Sequence, residues 1–196
     1  MKDKDVDAAG DGELIAAFVR GDERAFEQLY GRYKRQLYGF LNNLIANNAS
    51  EVDEVFEETW LRVLDKLPGY RDEGRFSAWL FRIARNLFID RLRKSRKLPG
   101  ALELDAENAP LLPGPASLEP DQDFELGEVG AVIARAVEML PVEQREVFLL
   151  RQQDLAFREI AEIQGCSINT VLGRMQYAMK SLRRLILEID RGGIVT

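Results

Sequence analysis

The sequence predicts an all-α protein of two small helical domains joined by an acidic, proline-rich, flexible linker. Three observations carry that reading. Apolar residues recur at three- and four-residue steps in both ends of the chain, and no strand-like alternation persists anywhere. Prolines at 99, 110, 113, 115 and 120 break every helical window between residues 98 and 128. Charge divides at the same places: residues 98–128 hold eight acids and no base, residues 1–97 hold 18 Lys+Arg against 17 Asp+Glu, and residues 129–196 hold nine against eight. The net charge of −6 therefore comes from the linker, between two nearly neutral blocks.

Taken in order, residues 1–11 read as a polar, disordered tail and not as a signal peptide, because they contain no apolar run. The first domain is expected over 12–97. Gly12 to Arg20 predicts a short helix. Asp22 is a plausible N-cap for a long helix to about Ile45, with Phe26, Leu29, Tyr30, Tyr33, Leu37, Phe40, Leu41 and Leu44 in one apolar stripe. Ser50 with Asp53 resembles a capping box that opens a third helix, and Pro68-Gly69 stops it. After the loop GYRDEGR, Arg75 to Lys97 predicts a fourth helix with eight cations against one acid, Asp90. Phe76, Trp79, Leu80, Ile83, Ala84 and Leu87 make its packing face, and Arg82, Arg85, Asn86, Ile89 and Arg93 make a face able to meet polyanion.

The second domain is expected over 129–190, followed by a tail at 191–196. Val129 to Leu140 predicts a helix, Pro141 opens the next at its first turn, Phe157 to Gln164 forms a third, and Ile168 to about Ile189 forms a fourth. A linker of the length of 98–128 averages roughly 30 Å end to end and reaches about 100 Å when stretched. That suits domains seated on separated sites better than domains that merely pack together.

Composition narrows the function. Histidine is absent, which removes the commonest general base and the commonest transition-metal ligand. The single cysteine, Cys166, forms no intrachain disulfide and reads as a small turn residue in a reducing compartment. No run approaches a membrane span. Composition thus makes hydrolytic or metal chemistry and membrane insertion less expected, and a reducing compartment the natural reading.

Three motifs remain. FREIAEIQGCSINTVLGRMQYAMKSLRR reads as a helix-turn-helix: Ala161 is small where two helices cross, Gly165 supplies a positive φ, and Ile168 and Val171 face inward. Asn169, Thr170, Gly173, Arg174 and Tyr177, with Lys180, would then face a major groove; an ordinary helical hairpin is the plain alternative. Glu51, Asp53, Glu54, Glu57 and Glu58 form an acidic helix face, which is by default solvated and more sharply a protein-docking face. A carboxylate-metal bundle would also place acids so, but usually adds histidines. Tyr70, Arg71, Arg75 and Phe76 could stack on or grip unpaired bases.

Four stretches in order resemble the extracytoplasmic-function (ECF) group of bacterial RNA polymerase sigma factors. They are DERAFEQLYGRYKRQLYGFL, VDEVFEETWLRVLDKL, FSAWLFRIARNLFIDRLRK and LPVEQREVFLLRQQDLAFREIAEIQGCSINTVLGR. The resemblance implies a sigma-2-like four-helix domain, a sigma-4-like helix-turn-helix domain, and a promoter-specificity subunit that binds core RNA polymerase. Its implied partners are the clamp helices of the largest (β′) subunit, the β flap and promoter DNA. Many members are held by an anti-sigma factor, which joins the candidate partners. Asp53, Glu54, Glu57 and Trp60 fall on the docking motif, with Glu57 where the family usually has glutamine. The loop Gly69–Arg75 matches the segment that captures a flipped base, and Asn86, Asp90, Arg93 and Lys94 lie on the helix that meets the −10 element. On the −35 helix the family's Thr-Val-Lys-Ser-Arg, with another arginine three residues on, is here Thr170, Val171, Leu172, Gly173, Arg174 and then Tyr177. Two cations are missing, so weakened −35 recognition is expected. The rival reading is a stand-alone helix-turn-helix regulator that needs no polymerase.

Overall fold

A computed structural model of the chain describes residues 9–45, 48–97 and 128–190. The expected linker, except Glu128, and most of both expected tails lie outside the described residues. The described chain is helical, with no strand. In order, the helices are α1 (Asp11–Val19), α2 (Glu23–Leu44), α3 (Ala49–Lys66), α4 (Phe76–Lys97), α5 (Glu128–Glu138), α6 (Val142–Gln152), α7 (Phe157–Gln164) and α8 (Ile168–Asp190). A single 3-10 turn at Leu67–Gly69 closes α3.

Local chemistry sets most of these boundaries. The Asp22 carboxylate accepts from the Arg24 N–H at 3.1 Å, capping α2 as expected. The expected cap of α3 is corrected by two residues. Asn48, and not Ser50, caps it: the Asn48 side-chain oxygen accepts from the Glu51 N–H at 3.2 Å, and its amide donates to the Glu51 carboxylate at 3.1 Å. Asparagine caps as well as serine, and the earlier start adds Ala49 and Ser50 to the helix. Asp11, placed in the tail by sequence, begins α1 and receives hydrogen bonds from Arg32 and Tyr33 of α2.

Helices α1 to α4 form one bundle and α5 to α8 another, with α8 gathering α5, α6 and α7. Leu29, Leu37, Leu41, Val55, Val63, Leu80, Phe81 and Ala84 are fully buried in the first core, where the Phe40 and Phe81 rings meet edge-on at 5.2 Å. Each such aliphatic or aromatic burial contributes about 1.5–3 kcal/mol. Ala136, Val147, Leu150, Ile160, Val171 and Ala178 are fully buried in the second. Ile168 does not join them. It occupies the first position of α8, with a helical turn on one side only, and stays 45% exposed.

The two bundles are not apart. Helix α7 packs on α4, and α5 and α6 pack on α2, so the expectation that the domains would sit separately is not met in this structure. Arg145 is central to the contact. Its buried guanidinium donates to the carbonyls of Glu138 and Leu140 at the end of α5, and to that of Leu44 at the end of α2, at 3.4 Å. One side chain thereby satisfies carbonyls that two helix C-termini leave unpaired. Burial pushes its pKa down from the ordinary arginine value.

Candidate polymerase and nucleic-acid interfaces

The acidic face of α3 splits into a part held by neighbours and a part left open. Arg91 of α4 donates to the Glu54 carboxylate at 2.6 Å and to that of Glu58 at 3.0 Å, while Arg62 reaches Glu58 at 2.8 Å. Hydrogen bonding from Arg91, followed by that from Arg62, holds the Glu58 carboxyl below its usual range against the opposing cost of desolvation. Asp53 is exposed and accepts from the Tyr38 hydroxyl at 2.9 Å; that bond is the main cause raising the Tyr38 pKa. Glu57 is exposed. Among the described residues no three His, Cys, Asp or Glu side chains come together as a metal-binding group.

One residue assigned to docking is buried. Trp60 was expected on this face, but it is 6% exposed and stacks edge-on with Phe26, Tyr30 and Phe56 in the core. Its apolar bulk is worth more buried than a docking role would allow. Leu61, one residue on, is 66% exposed. It shares one helical face with Glu54, Glu57 and Glu58 at three- and four-residue steps.

Five assigned positions of α4 lie open. Arg82, Asn86, Asp90, Arg93 and Lys94 are exposed, with Asp90 3.9 Å from the 73% exposed Arg93. The loop before it is ordered by aromatic contact. Tyr70 lies 4.6 Å from the Trp79 ring and edge-on to Phe76 at 5.9 Å. Burial, and then the charge of Asp72, push the Tyr70 hydroxyl up to about 12. Phe76 itself is 1% exposed and packs on Tyr33, so it cannot stack on a base as expected. It holds Tyr70 and Trp79 from beneath. Arg71 is exposed, whereas Arg75 donates to Glu162 of α7 at 2.6 Å and stands 3.6 Å from Glu159. An open cleft of about 280 Å³ lies there, with Tyr70, Arg71, Trp79 and Arg82 on one wall and Glu159 and Glu162 on the other.

The helix-turn-helix forms as expected. Gly165 takes φ +65° at the end of α7, a left-handed conformation that Cβ-bearing residues resist. Ser167 Oγ then accepts from the Thr170 N–H at 3.1 Å. Asn169, Thr170, Tyr177 and Lys180 are exposed on α8, and Gly173 is half-buried. Arg174 is held differently from a free base reader: it donates to Gln164 Oε1 at 2.8 Å and to Cys166 Sγ at 3.6 Å. Sequence spacing alone could not show that its guanidinium folds back on the turn.

Two known domain patterns match the chain in the same order as these bundles. Sigma-70 region 2 covers residues 29–98, and Sigma-70, region 4 covers residues 131–182. The ECF RNA polymerase sigma factor SigM of Mycobacterium tuberculosis is 31% identical over 183 residues, spanning 93% of this chain and 87% of that protein. The chain belongs to the ECF sigma factors. The RNA polymerase sigma-H factor of Pseudomonas aeruginosa is 26% identical over 92% of this sigma factor and 96% of its own length. Sigma factor RpoE of Bartonella quintana, solved in complex with the anti-sigma factor NepR, shares the fold with a TM-score of 0.65 at 23% identity, over 82% of this chain and 96% of that one. CnrH, solved with the cytosolic domain of CnrY, does so at 0.61 and 24%, over 90% and 96%. This sigma factor is a promoter-specificity subunit for transcription initiation.

Proposed function

We propose that residues 12–97 dock on core RNA polymerase through the open edge of α3 and engage the −10 element along α4, while residues 129–190 read the −35 element through α8. In this reading Asp53, Glu57 and the added Leu61, with Glu54 beside them on its ion pair to Arg91, meet the clamp helices of the β′ subunit. Arg82, Asn86, Asp90, Arg93 and Lys94 face the −10 strand. Tyr70, Arg71 and Arg75 receive an unstacked base, whose release from the duplex costs a few kcal/mol and needs stacking and charge to offset it. Asn169, Thr170, Gly173, Tyr177 and Lys180 lie toward the −35 duplex, with Arg174 reached from the turn, and the domain also meets the β flap. The protein acts in the cytoplasm, needs no cofactor and catalyses nothing itself. An anti-sigma factor joins the candidate partners, as one does for RpoE of Bartonella quintana.

The observation that carries this reading is the division of surface on α3 and α4. Their shared faces are buried, α3 leaves carboxylates and Leu61 outward, and α4 leaves cations outward. A stand-alone regulator has no use for the first of these. Run-off transcription with core polymerase on genomic fragments tests it directly. Discrete transcripts that depend on the added chain are expected, and their absence under all templates would refute the proposal. A sharper test is Asp53→Arg with Glu54→Arg, which should abolish co-purification with core polymerase while circular dichroism stays unchanged. Both side chains are exposed, so the cost in stability is about 0–1 kcal/mol. Retained co-purification would move docking elsewhere.

A further inference from the structure

We infer that the −35 element of this sigma factor is a block of A·T base pairs, its adenines read by Asn169 and Gln176 and its thymine methyls by Leu172 and Tyr177, with no arginine reading guanine. This rests on the −35 reading of α8 proposed above and names the sequence class that the helix selects. The side of α8 that the core leaves free carries the case. Val171, Ala178, Leu182 and Leu185 are buried where α8 packs on α5, α6 and α7. Asn169, Leu172, Gln176, Tyr177, Lys180 and Arg183 recur at three- and four-residue steps on the opposite side, and all six are exposed.

Each base pair shows a distinct pattern in the major groove, and side-chain chemistry decides which pattern a helix accepts. Guanine presents two acceptors, which arginine or lysine takes; cytosine presents an amino donor, which a carboxylate takes. Neither reader faces outward in the first half of α8. From Ile168 to Met179 there is no acid, and the sole cation is Arg174. Its Nη1 donates to Gln164 Oε1 at 2.8 Å and to Cys166 Sγ at 3.6 Å, which directs the guanidinium back onto the turn. What remains outward suits the other two bases. A side-chain amide can accept from adenine N6 and donate to N7 together, and among the described residues no hydrogen bond engages the amide of Asn169 or Gln176. Leu172 is 44% exposed and Tyr177 63%, leaving apolar area in water that thymine methyls would cover. The missing cations therefore change which bases are read, besides removing phosphate charge.

Charge returns farther along the same side. Lys180 and Arg183 lie about 16 and 21 Å from Asn169 along the axis at 1.5 Å per residue, beyond the roughly 12 Å width of the groove. They meet the phosphate strand that bounds it and supply affinity without sequence information. Base reading and charge thus occupy successive halves of one helix.

The test uses the full-length chain on core RNA polymerase, wild type or variant, and selects bound molecules from a duplex library of random sequence. Wild type should enrich an upstream block of A·T pairs. Asn169→Ala should lose the adenine preference at one position of that block and keep the rest, and Tyr177→Arg should introduce a guanine. Both side chains are exposed, so circular dichroism should stay unchanged. A second measurement replaces thymine by uracil in the selected block, which removes only the C5 methyl. Wild-type affinity should fall about fourfold per methyl contacted, and Leu172→Ala should lose part of that discrimination. An upstream block led by guanine or cytosine, yet altered by α8 substitutions, would overturn the A·T inference and leave the −35 reading standing. Equal binding of thymine and uracil duplexes by wild type, or an adenine preference that survives Asn169→Ala/Gln176→Ala, would do the same. No enriched block, or one that Asn169→Ala, Tyr177→Arg and Lys180→Ala all leave unaltered, would remove the −35 reading and this inference with it.

Discussion

Tyr33 and Tyr70 show what individual residues contribute beyond apolar area. Burial, and then a hydrogen bond to the Asp11 carboxylate, raise the Tyr33 pKa well above the ordinary tyrosine value, and burial with Asp72 takes Tyr70 to about 12. Folding therefore favours the protonated phenol. The stability this represents is whole below pH 10, where the unfolded phenol is still neutral, and is lost as pH rises toward 12. Urea unfolding followed by circular dichroism should show a decline that begins near pH 10, and Tyr70→Phe should make it shallower. A slope that the variant leaves unchanged would place the titration elsewhere. Residue-level legibility was uneven. Asp22 as a cap and Gly165 as a left-handed turn follow from local chemistry, and both were read from the sequence. Trp60 and Phe76 were misassigned because an aromatic that stacks on a base and one that fills a core look alike until burial is known.

At the scale of elements, helix periodicity located α1 to α8 to within a few residues because amphipathic faces must be continuous to bury a core. In α8, Gly173 interrupts the proposed recognition surface. A Cβ at Gly173 would meet nothing within 4 Å beyond its own helix, so no close approach requires glycine there. Gly173→Ala should raise stability by about 1 kcal/mol in thermal or urea unfolding. Gly173→Lys should add a phosphate contact, seen as tighter −35 duplex binding and a steeper salt dependence by about one unit of slope in a log–log plot. A Lys variant with the wild-type slope would mean that this position does not face phosphate. The register of the α3 cap was misread because Asn48-x-x-Glu51 and Ser50-x-x-Asp53 are both competent capping sequences two residues apart.

Over the whole molecule, charge is partitioned along the chain. The eight acids of 98–128 set the net charge at −6; replacing them with Asn and Gln moves it to +2. If the acidic connector repels DNA from the free protein, that replacement should tighten duplex binding in a gel-shift assay at low salt. No gain would discard this role for the linker. At shorter range, Arg75 pairs with Glu159 and Glu162, and Arg85 with Glu146, across the two bundles.

The sequence by itself determined the all-α class, the order of helices, the helix-turn-helix and the four motifs that assign the family. Each depends on local periodicity, capping or a short ordered pattern. Only the tertiary structure decided which aromatics are core, which acids are already paired, and that α7 lies on α4. Those outcomes depend on residues 37 to 87 positions apart in the chain, such as Arg91 with Glu54 and Arg75 with Glu162, and no local pattern encodes such a distance.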